Sequence, residues 1–404
     1  MSTSLLYHAF GIRGYQYVRT RYEAGAVIFA IDQPREAYRC GHCGSPDVHA
    51  KGSVLRRWRG VPIGGKPVFL EFSIPRVFCW RCRKERQVQV AFAAPKKHYT
   101  RSFARYVLEL LQFATLADVA RHLNLSWDTA KAIQRRHLQR RFGRPRLKSL
   151  KQIAIDEIAV GKRHCYVTVV LDLASGAIVF VGQGKGSKAL DPFWRRLRGS
   201  GAKVQAVATD LSQAYIQAVT ENLPKATLVF DRFHIVKLLN EKLSELRRAL
   251  YREAVDRLQK QVLKGTRWLL LKHPENLDPE RNEHRRLEEA LVLNRSLAIA
   301  YYLKEDLRQF WEQPNKRRAG KFLRDWAAQA QVSGIRCLQQ FAKTLLGHRS
   351  GLLSWYDYPI STGPLEGTNN KIKTLQRQSY GFRDQEFFIL KLYALHESKH
   401  ALVG

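Results

Sequence analysis

Three carboxylates in this sequence are placed where acids do chemistry. Glu366 opens a helix-like run, STGPLEGTNNKIKTLQRQSYGFRD (Ser361–Asp384), that also carries Asn369, Asn370, Lys371, Lys373 and Arg377. An acid set among cations and amides suits a site that holds a metal ion against a phosphate. Standing alone, it is equally a solvated helix with a glutamate near its N-terminus, where the helix dipole favours acids. Partner carboxylates must then come from upstream strands. Asp156, in the middle of IAIDEIAV, and Asp210, ending VQAVATD, are the candidates. A carboxylate between apolar strand residues is costly unless its charge is compensated. Strand alternation sends Glu157 to the opposite face from Asp156, so only one of the two belongs to the site, and Asp156 is the choice. Asp172, in LDLASG, reads as a turn cap.

Hard carboxylate oxygens are what Mg2+ prefers. Two such ions, with Mn2+ an acceptable substitute, can activate a water and stabilise the leaving 3′ oxygen of a phosphodiester when held about 3.5–4 Å apart. Lys371, Lys373, Arg377, Asn369 and Asn370 would grip the strand's backbone, and Tyr380 could stack.

A second constellation is of the opposite chemical kind. Cys40-Gly-His-Cys43 and Cys79-Trp-Arg-Cys82 repeat C-x2-C across a longer connection. That is the spacing of two knuckles closing a tetrahedral zinc site, structural because four thiolates leave no open position. Disulfides are the competing reading, and a reducing compartment argues against them. His42 reads as a bystander, and Cys165 and Cys337, without ligand company, as core residues.

The elements that position these groups follow from the patterning. The chain has 404 residues and a formal net charge of +34. Residues 1–150 alone carry 28 Lys and Arg against 9 Asp and Glu. Such a balance expects a polyanion, and double-stranded DNA is the expected partner. No apolar run reaches the roughly 18 residues of a membrane span, and the N-terminus is too polar for a secretory signal, so a cytoplasmic, nucleoid-associated protein without membrane contact is expected.

Residues 1–98 read as a zinc-binding β module, with a small hairpin ribbon between the cysteine pairs. Residues 99–148 turn helical: Leu116–Ser126 reads as helix and turn, with Ser126 capping a second helix. This is a helix-turn-helix in outline, and Trp127, Thr129, Lys131 and Arg135 would face the major groove. An ordinary helical hairpin is the alternative. Arg144 and Arg146, in the linker RFGRPRLK, resemble a minor-groove arm.

From 149 to 239 strands dominate: three in an antiparallel meander, then strand-helix-strand with parallel pairing. Asp156 and Asp210 can then lie on neighbouring strands. Residues 240–355 are helix after helix, and 356–404 return with Glu366. Asp210 and Glu366 are 156 residues apart, too far for a loop, which implies an inserted domain.

The motifs IAIDE, VATDLSQAY, VFDRFHIVKLL, GTRWLLLKHPENL and STGPLEGTNNKIKTLQRQSYGF together resemble bacterial insertion-sequence transposases of the DDE class, the ISL-three-type family, over essentially the whole chain. The resemblance implies an α/β, ribonuclease-H-like mixed sheet with a helical insertion, preceded by the zinc module and the helix-turn-helix. It implies the triad Asp156, Asp210 and Glu366, an enzyme that binds the inverted repeats ending its element and cuts and transfers strands, and a homodimer on DNA. Asp231 and His234 resemble the D-x-x-H element of related transposases, and Asp231 is a second candidate for the middle acid. Arg267 and Trp268 are placed for base stacking, as an insertion-domain tryptophan does in some members. A buried core tryptophan is the plainer alternative for Trp268, and Trp355 is a second stacking candidate. A transposase-derived regulator that binds without cutting is the other functional reading.

Overall fold

In the first unit, ending at Arg141, two left-handed hairpin turns set the sheet. A computed structural model of the chain describes residues 4–161 and 165–397. Strands β1 (Gln16–Glu23) and β2 (Ala26–Asp32) are joined by Ala24 and Gly25 at φ 48° and 78°. Strands β3 (Val48–Ile63) and β4 (Lys66–Cys79) are joined by Gly64 and Gly65 at φ 57° and 76°. Positive φ at both turn residues matches the twist of a two-residue hairpin. The strand order is β1-β2-β4-β3, with β5 (Lys84–Gln87) paired on β4. Alternate residues of β4, Val68, Leu70, Phe72 and Ile74, are buried in one core with Leu6 and Phe10 of helix α1 (Leu5–Phe10). The ribbon expected between the cysteine pairs is therefore a long hairpin, of 16 and 14 residues. The helix and strands before residue 33 enlarge a module that the cysteines alone suggested.

Helices α2 (Arg101–Leu110), α3 (Leu116–His122) and α4 (Trp127–Phe142) follow. Each begins at a side-chain cap: Thr100 accepts from Phe103 N at 3.1 Å, Thr115 from Asp118 N at 3.2 Å and Ser126 from Thr129 N at 3.2 Å. Phe103, Val107, Val119, Leu123 and Ile133 form their common core. Arg59 of β3 donates to Leu123 O at 2.9 Å, so no break in packing falls at residue 98.

The second unit, from Phe142, holds the sheet β10-β9-β6-β7-β8. Strands β6 (Gln152–Gly161), β7 (Cys165–Asp172) and β8 (Ile178–Gln183) form the expected antiparallel meander. After helix α5 (Asp191–Arg198), β9 (Ala206–Thr209) pairs parallel to β6. Helix α6 (Gln213–Asn222) carries the chain to β10 (Thr227–Phe230), parallel to β9. Ile153, Ile155, Val170 and Val207 of the sheet pack against Phe193, Trp194 and Tyr215. Leu147 and Leu150 are buried in this core, and Pro145 O accepts from Arg196 at 3.0 Å. The stretch read as a basic linker is thus packed on the sheet domain, with Arg144 and Arg146 exposed.

Among the described residues no strand follows β10. Helices α7 (Arg232–Glu253), α8 (Arg257–Gly265), α9 (Glu283–Leu293), α10 (Arg295–Arg308), α11 (Lys316–Val332), α12 (Arg336–Gly347) and α13 (Arg349–Leu353) build a core of their own. Helix α13 crosses β10 so closely that a Cβ on Gly351 would lie 2.4 Å from the Phe230 ring. Helix α14 (Gly363–Gln378) then packs on β6, and α15 (Gln385–Tyr393) on β8. No described helix is long and apolar enough to cross a membrane.

Candidate active site

Strand register decides which acids meet. Ala154 of β6 pairs with Ala208 of β9, and continuing that parallel register brings Asp156 level with Asp210. Phe230 of β10 pairs with Thr209, which brings Asp231 level with both. Three aspartates thus end one row across adjacent strands. Glu157 points the other way, as alternation requires, and accepts from Tyr215 Oη at 3.2 Å.

Helix α14 approaches this row from the C-terminal end of the chain. Asn369 donates from Nδ2 to Asp156 Oδ2 at 2.9 Å, and Gln376 donates to Val160 O at 2.7 Å. Glu366 lies one turn before Asn369 on the same helix face and is exposed. Asp210 accepts from Ser212 N at 3.0 Å, which fixes its carboxylate at the turn into α6.

The aspartates differ in what holds them. Burial pushes the Asp156 carboxyl above its usual range and the Asp210 charge adds to the shift, opposed by His234, the Glu157 N–H and Asn369. The Asn369 Oδ1 beside it is buried and accepts from nothing. Two carboxylates level on neighbouring strands and an orphaned amide oxygen form a hard-oxygen donor set that fits a divalent cation.

Asp231 is different: its side chain is 1% exposed and fully engaged. It caps α7 by accepting His234 N at 3.3 Å, and it accepts Thr362 N at 3.0 Å. His234 Nδ1 lies 3.3 Å from the same carboxylate and 3.3 Å from Thr362 Oγ1. Asp231 thereby clasps the start of the helical insertion to the residue just before α14. Burial opposes its ionisation, but the His234 and Thr362 hydrogen bonds win and hold its carboxyl below the usual range. For His234 burial pulls down, outweighed by the bond to Asp231 and the fields of Asp156, Asp231 and Asp210, so its pKa is raised.

On α14, Asn370, Lys371, Lys373 and Arg377 are exposed behind Glu366. Tyr380 stands fully exposed on a left-handed backbone at φ 50°. In the insertion, Trp268 is 64% exposed, not buried in a core, and the Arg267 guanidinium lies 4.6 Å from its ring. Its segment is braced from behind: the buried Lys304 ammonium donates to Leu270 O at 2.8 Å and Lys272 O at 3.3 Å. Trp355 instead packs against the insertion core. On α4, Trp127 is exposed with Lys131 Nζ 5.0 Å from its ring, Arg135 is half-buried, and the Thr129 hydroxyl is engaged with Ser126 at 2.7 Å.

The sequence had already placed Asp156, Asp210 and Glu366 in the strand and helix pattern. It did not indicate Thr362, Lys304 or the part Asn369 plays toward Asp156. A glycine-proline helix start directly after Thr362 was the available signal for a fixed entry into α14.

The cysteines gather as their spacing predicts. The four Sγ atoms of Cys40, Cys43, Cys79 and Cys82 lie within 4.8 Å of one another, the only group of three or more His, Cys, Asp or Glu donors so close among the described residues. Two matching turns make the knuckles. Gly44 N donates to Cys40 O at 2.9 Å and Arg83 N to Cys79 O at 2.7 Å, with Gly44 and Arg83 both left-handed. Backbone N–H groups of Cys43 and His42 help bring the Cys40 thiol down to about 6, while contact with Cys43 and the other sulfurs pushes Cys82 up to about 12. Four thiolates cannot coexist there without a cation, which is what a tetrahedral zinc site supplies. His42 is exposed and outside the set. Cys165, the first residue of β7, is exposed rather than in a core, and Cys337 is half-buried against the insertion core.

Comparison with known proteins agrees with this architecture. A family model described as a transposase, the DDE domain of family ISL3, matches residues 153–392. A zinc-finger of transposase IS204/IS1001/IS1096/IS1165 matches 36–82, and the helix-turn-helix domain of transposase family ISL3 matches 88–138. The transposase for insertion sequence element IS1001 of Bordetella parapertussis is 32% identical over 358 residues, 88% of each chain. The transposase for insertion sequence element IS1557 of Mycobacterium tuberculosis is 30% identical over 395 residues, 90% of this chain and 87% of that one. Among solved structures, the Drosophila P element transposase strand transfer complex matches at a TM-score of 0.34 and 12% identity, over 64% of this chain and 79% of that one, too distant to argue from. The chain belongs to the ISL3 family of transposases, and it is a transposase with a zinc-ribbon and a helix-turn-helix domain.

Proposed function

We propose that this transposase cuts and transfers DNA strands with Asp156, Asp210 and Glu366, and that Asp231 and His234 hold the site together instead of ligating the metal. The observation that carries the assignment is the contrast within one row of the sheet. Asp156 accepts from the Glu157 N–H and Asn369, yet burial, with the Asp210 charge adding, holds its carboxyl above the usual range, whereas the bonds of Asp231 to His234 and Thr362 hold its carboxyl below it.

In this reading Asp156, Asp210 and Glu366 would hold two Mg2+ ions, with the Asn369 Oδ1 available beside them. When bound, the metal makes a bound water nucleophilic and neutralises charge on the phosphate in flight. Asn369 fixes the Asp156 carboxylate so that Oδ1 and Oδ2 keep one orientation. Lys371, Lys373 and Arg377 on the exposed side of α14 hold the phosphodiester backbone as the scissile bond enters. Water attacks phosphorus, the P–O3′ bond breaks, and a 3′-hydroxyl end is released. That hydroxyl attacks a target phosphodiester in the same site, displacing a target 3′ oxygen.

Helix α4, through Trp127, Lys131 and Arg135, reads the terminal inverted repeats, and the cysteine cluster holds a structural zinc. The exposed Arg267–Trp268 pair stacks on a base near the cut, a contact worth about 1–3 kcal/mol. Two element ends must be brought together, which calls for a homodimer on DNA. The test is a Mg2+-dependent cleavage assay on element-end DNA. Asp210→Asn and Glu366→Gln are expected to lower the rate by about a thousandfold or more, the scale of losing electrostatic stabilisation at a reacting phosphate. Undiminished cleavage by either variant sinks the assignment.

A further inference from the structure

Outside the acid row, the first unit holds a cleft lined by cations. This cleft, of about 400 Å3, opens between β3, the strap 94–100 and the first turns of α4. Arg59, Lys96, Lys97 and His98 line it, and none of them has a carboxylate partner among the described residues. Asp128, on the first turn of α4, is the lone acid in the lining.

Arg59 is the anchor of this cleft. Its guanidinium lies 5.1 Å from the Phe69 ring centre and 5.7 Å from that of Phe103, and one amino group donates to Leu123 O. Its Nε is buried with no acceptor. Burial alone pulls its pKa down, as expected of a cation whose neighbourhood supplies no anion. The strap is pinned over it: Arg59 N donates to His98 O at 2.8 Å, and Thr100 N donates to Arg59 O at 2.9 Å. Lys96 sits at φ 60°, a left-handed conformation that costs a side chain with a Cβ. Strain of that kind is kept where surrounding structure enforces it, and it clusters at ligand sites.

We infer that this cleft holds a backbone phosphodiester of the duplex that α4 reads, with Lys96, Lys97 and Arg59 on the phosphate and Tyr99 under its sugar. The volume suits a sugar–phosphate unit better than a lone ion, and the paired features of cationic rim and apolar floor match its two ends. Thr129, two residues after the exposed Trp127 of α4, lines the same cleft, so register along the backbone and the reading of base edges are set by adjacent parts of one unit. Phosphate contacts of this kind position a protein without carrying sequence information. The inference rests on the reading of the helix-turn-helix as the DNA-binding element.

The experiment uses the full chain, loaded with zinc, and a 30-base-pair duplex of mixed sequence as probe, with affinity measured across a salt series. The variant Lys96→Asn/Lys97→Gln keeps polar side chains and puts asparagine, which tolerates left-handed backbone, at position 96. It is compared with Lys51→Gln/Lys66→Gln, which removes the same charge from exposed positions on β3 and β4. One lost phosphate contact lowers the slope of log affinity against log salt by about 0.9. The cleft variant is expected to show that drop and bind about tenfold more weakly, with an unchanged melting midpoint, while the control changes less than twofold. Equal losses in the two variants, or an unchanged slope in the cleft variant, overturn the inference alone. No binding of duplex by the parent chain overturns it together with the reading beneath it.

Discussion

The two sites of this molecule are built on opposite principles. In the ribbon, four soft donors converge within 4.8 Å on turns that leave them nowhere else to point. In the sheet, Asp156 and Asp210 end level on neighbouring strands, Glu366 waits on a helix, and the carboxylates do not close into such a cluster among the described residues. A closed set of ligands serves stability, because the metal then completes a fold and has no position left for a substrate. In the proposed function, the open set serves chemistry. The same row of the sheet makes the point again, since Asp156 is destabilised where it stands and Asp231 is stabilised.

The first way to break the comparison is to empty the ribbon. Removal of the metal by a strong chelator, or the change Cys43→Ser, should unfold the first unit, since zinc supplies on the order of 10 kcal/mol to small domains that need it. Loss of the near-ultraviolet circular dichroism of Trp58 and Trp80, with DNA binding lost in parallel, is the expected result. A ribbon that keeps its fold without metal would place its stability in the β3–β4 core instead.

A smaller effect separates the acids. Asp231→Asn should cost roughly 1–3 kcal/mol, because it leaves buried partners without the charge they are arranged around. The pH dependence follows from the direction of each shift. Asp231, depressed in the fold, contributes stability above its unfolded pKa that is lost as pH falls through the folded one. His234, raised in the fold, contributes stability below its unfolded pKa that is lost as pH rises through the folded one. The clasp is therefore strongest between the two, and Asp231→Asn should flatten the stability profile at both edges of that window, measured by urea unfolding. Smallest is Trp268→Ala, expected to slow cleavage by about tenfold, in line with one lost stacking contact, without moving the melting midpoint.

Much of this was legible in the residues. The C-x2-C pairs gave the zinc site because its geometry is local to each knuckle. The alternation in IAIDEIAV separated Asp156 from Glu157, and the Ser126 cap marked where α4 begins, because both are properties of a few neighbouring positions. What stayed hidden depends on contacts distant in sequence. Nothing near Asp231 says that its partner is Thr362, 131 residues away, so the engagement of its carboxylate awaited the fold. Asn369 reads as one more polar residue on a basic helix until α14 is laid on β6. Arg144 and Arg146 resemble a minor-groove arm, and nothing near them says that Leu147 and Leu150 beside them are buried against the sheet.

The central claim is that Asp156 and Asp210 hold the catalytic cation while Asp231 holds the fold. Its most direct test is the melting midpoint of the second unit with and without Mn2+, the ribbon kept loaded with zinc throughout. Selective binding to the folded state adds about 2.7 kcal/mol at a hundredfold excess over Kd. The parent midpoint should rise with Mn2+, Asp231→Asn should start lower and rise by the same amount, and Asp156→Asn and Asp210→Asn should not rise at all. A rise kept by Asp210→Asn and lost by Asp231→Asn would contradict the account and make Asp231 the ligand.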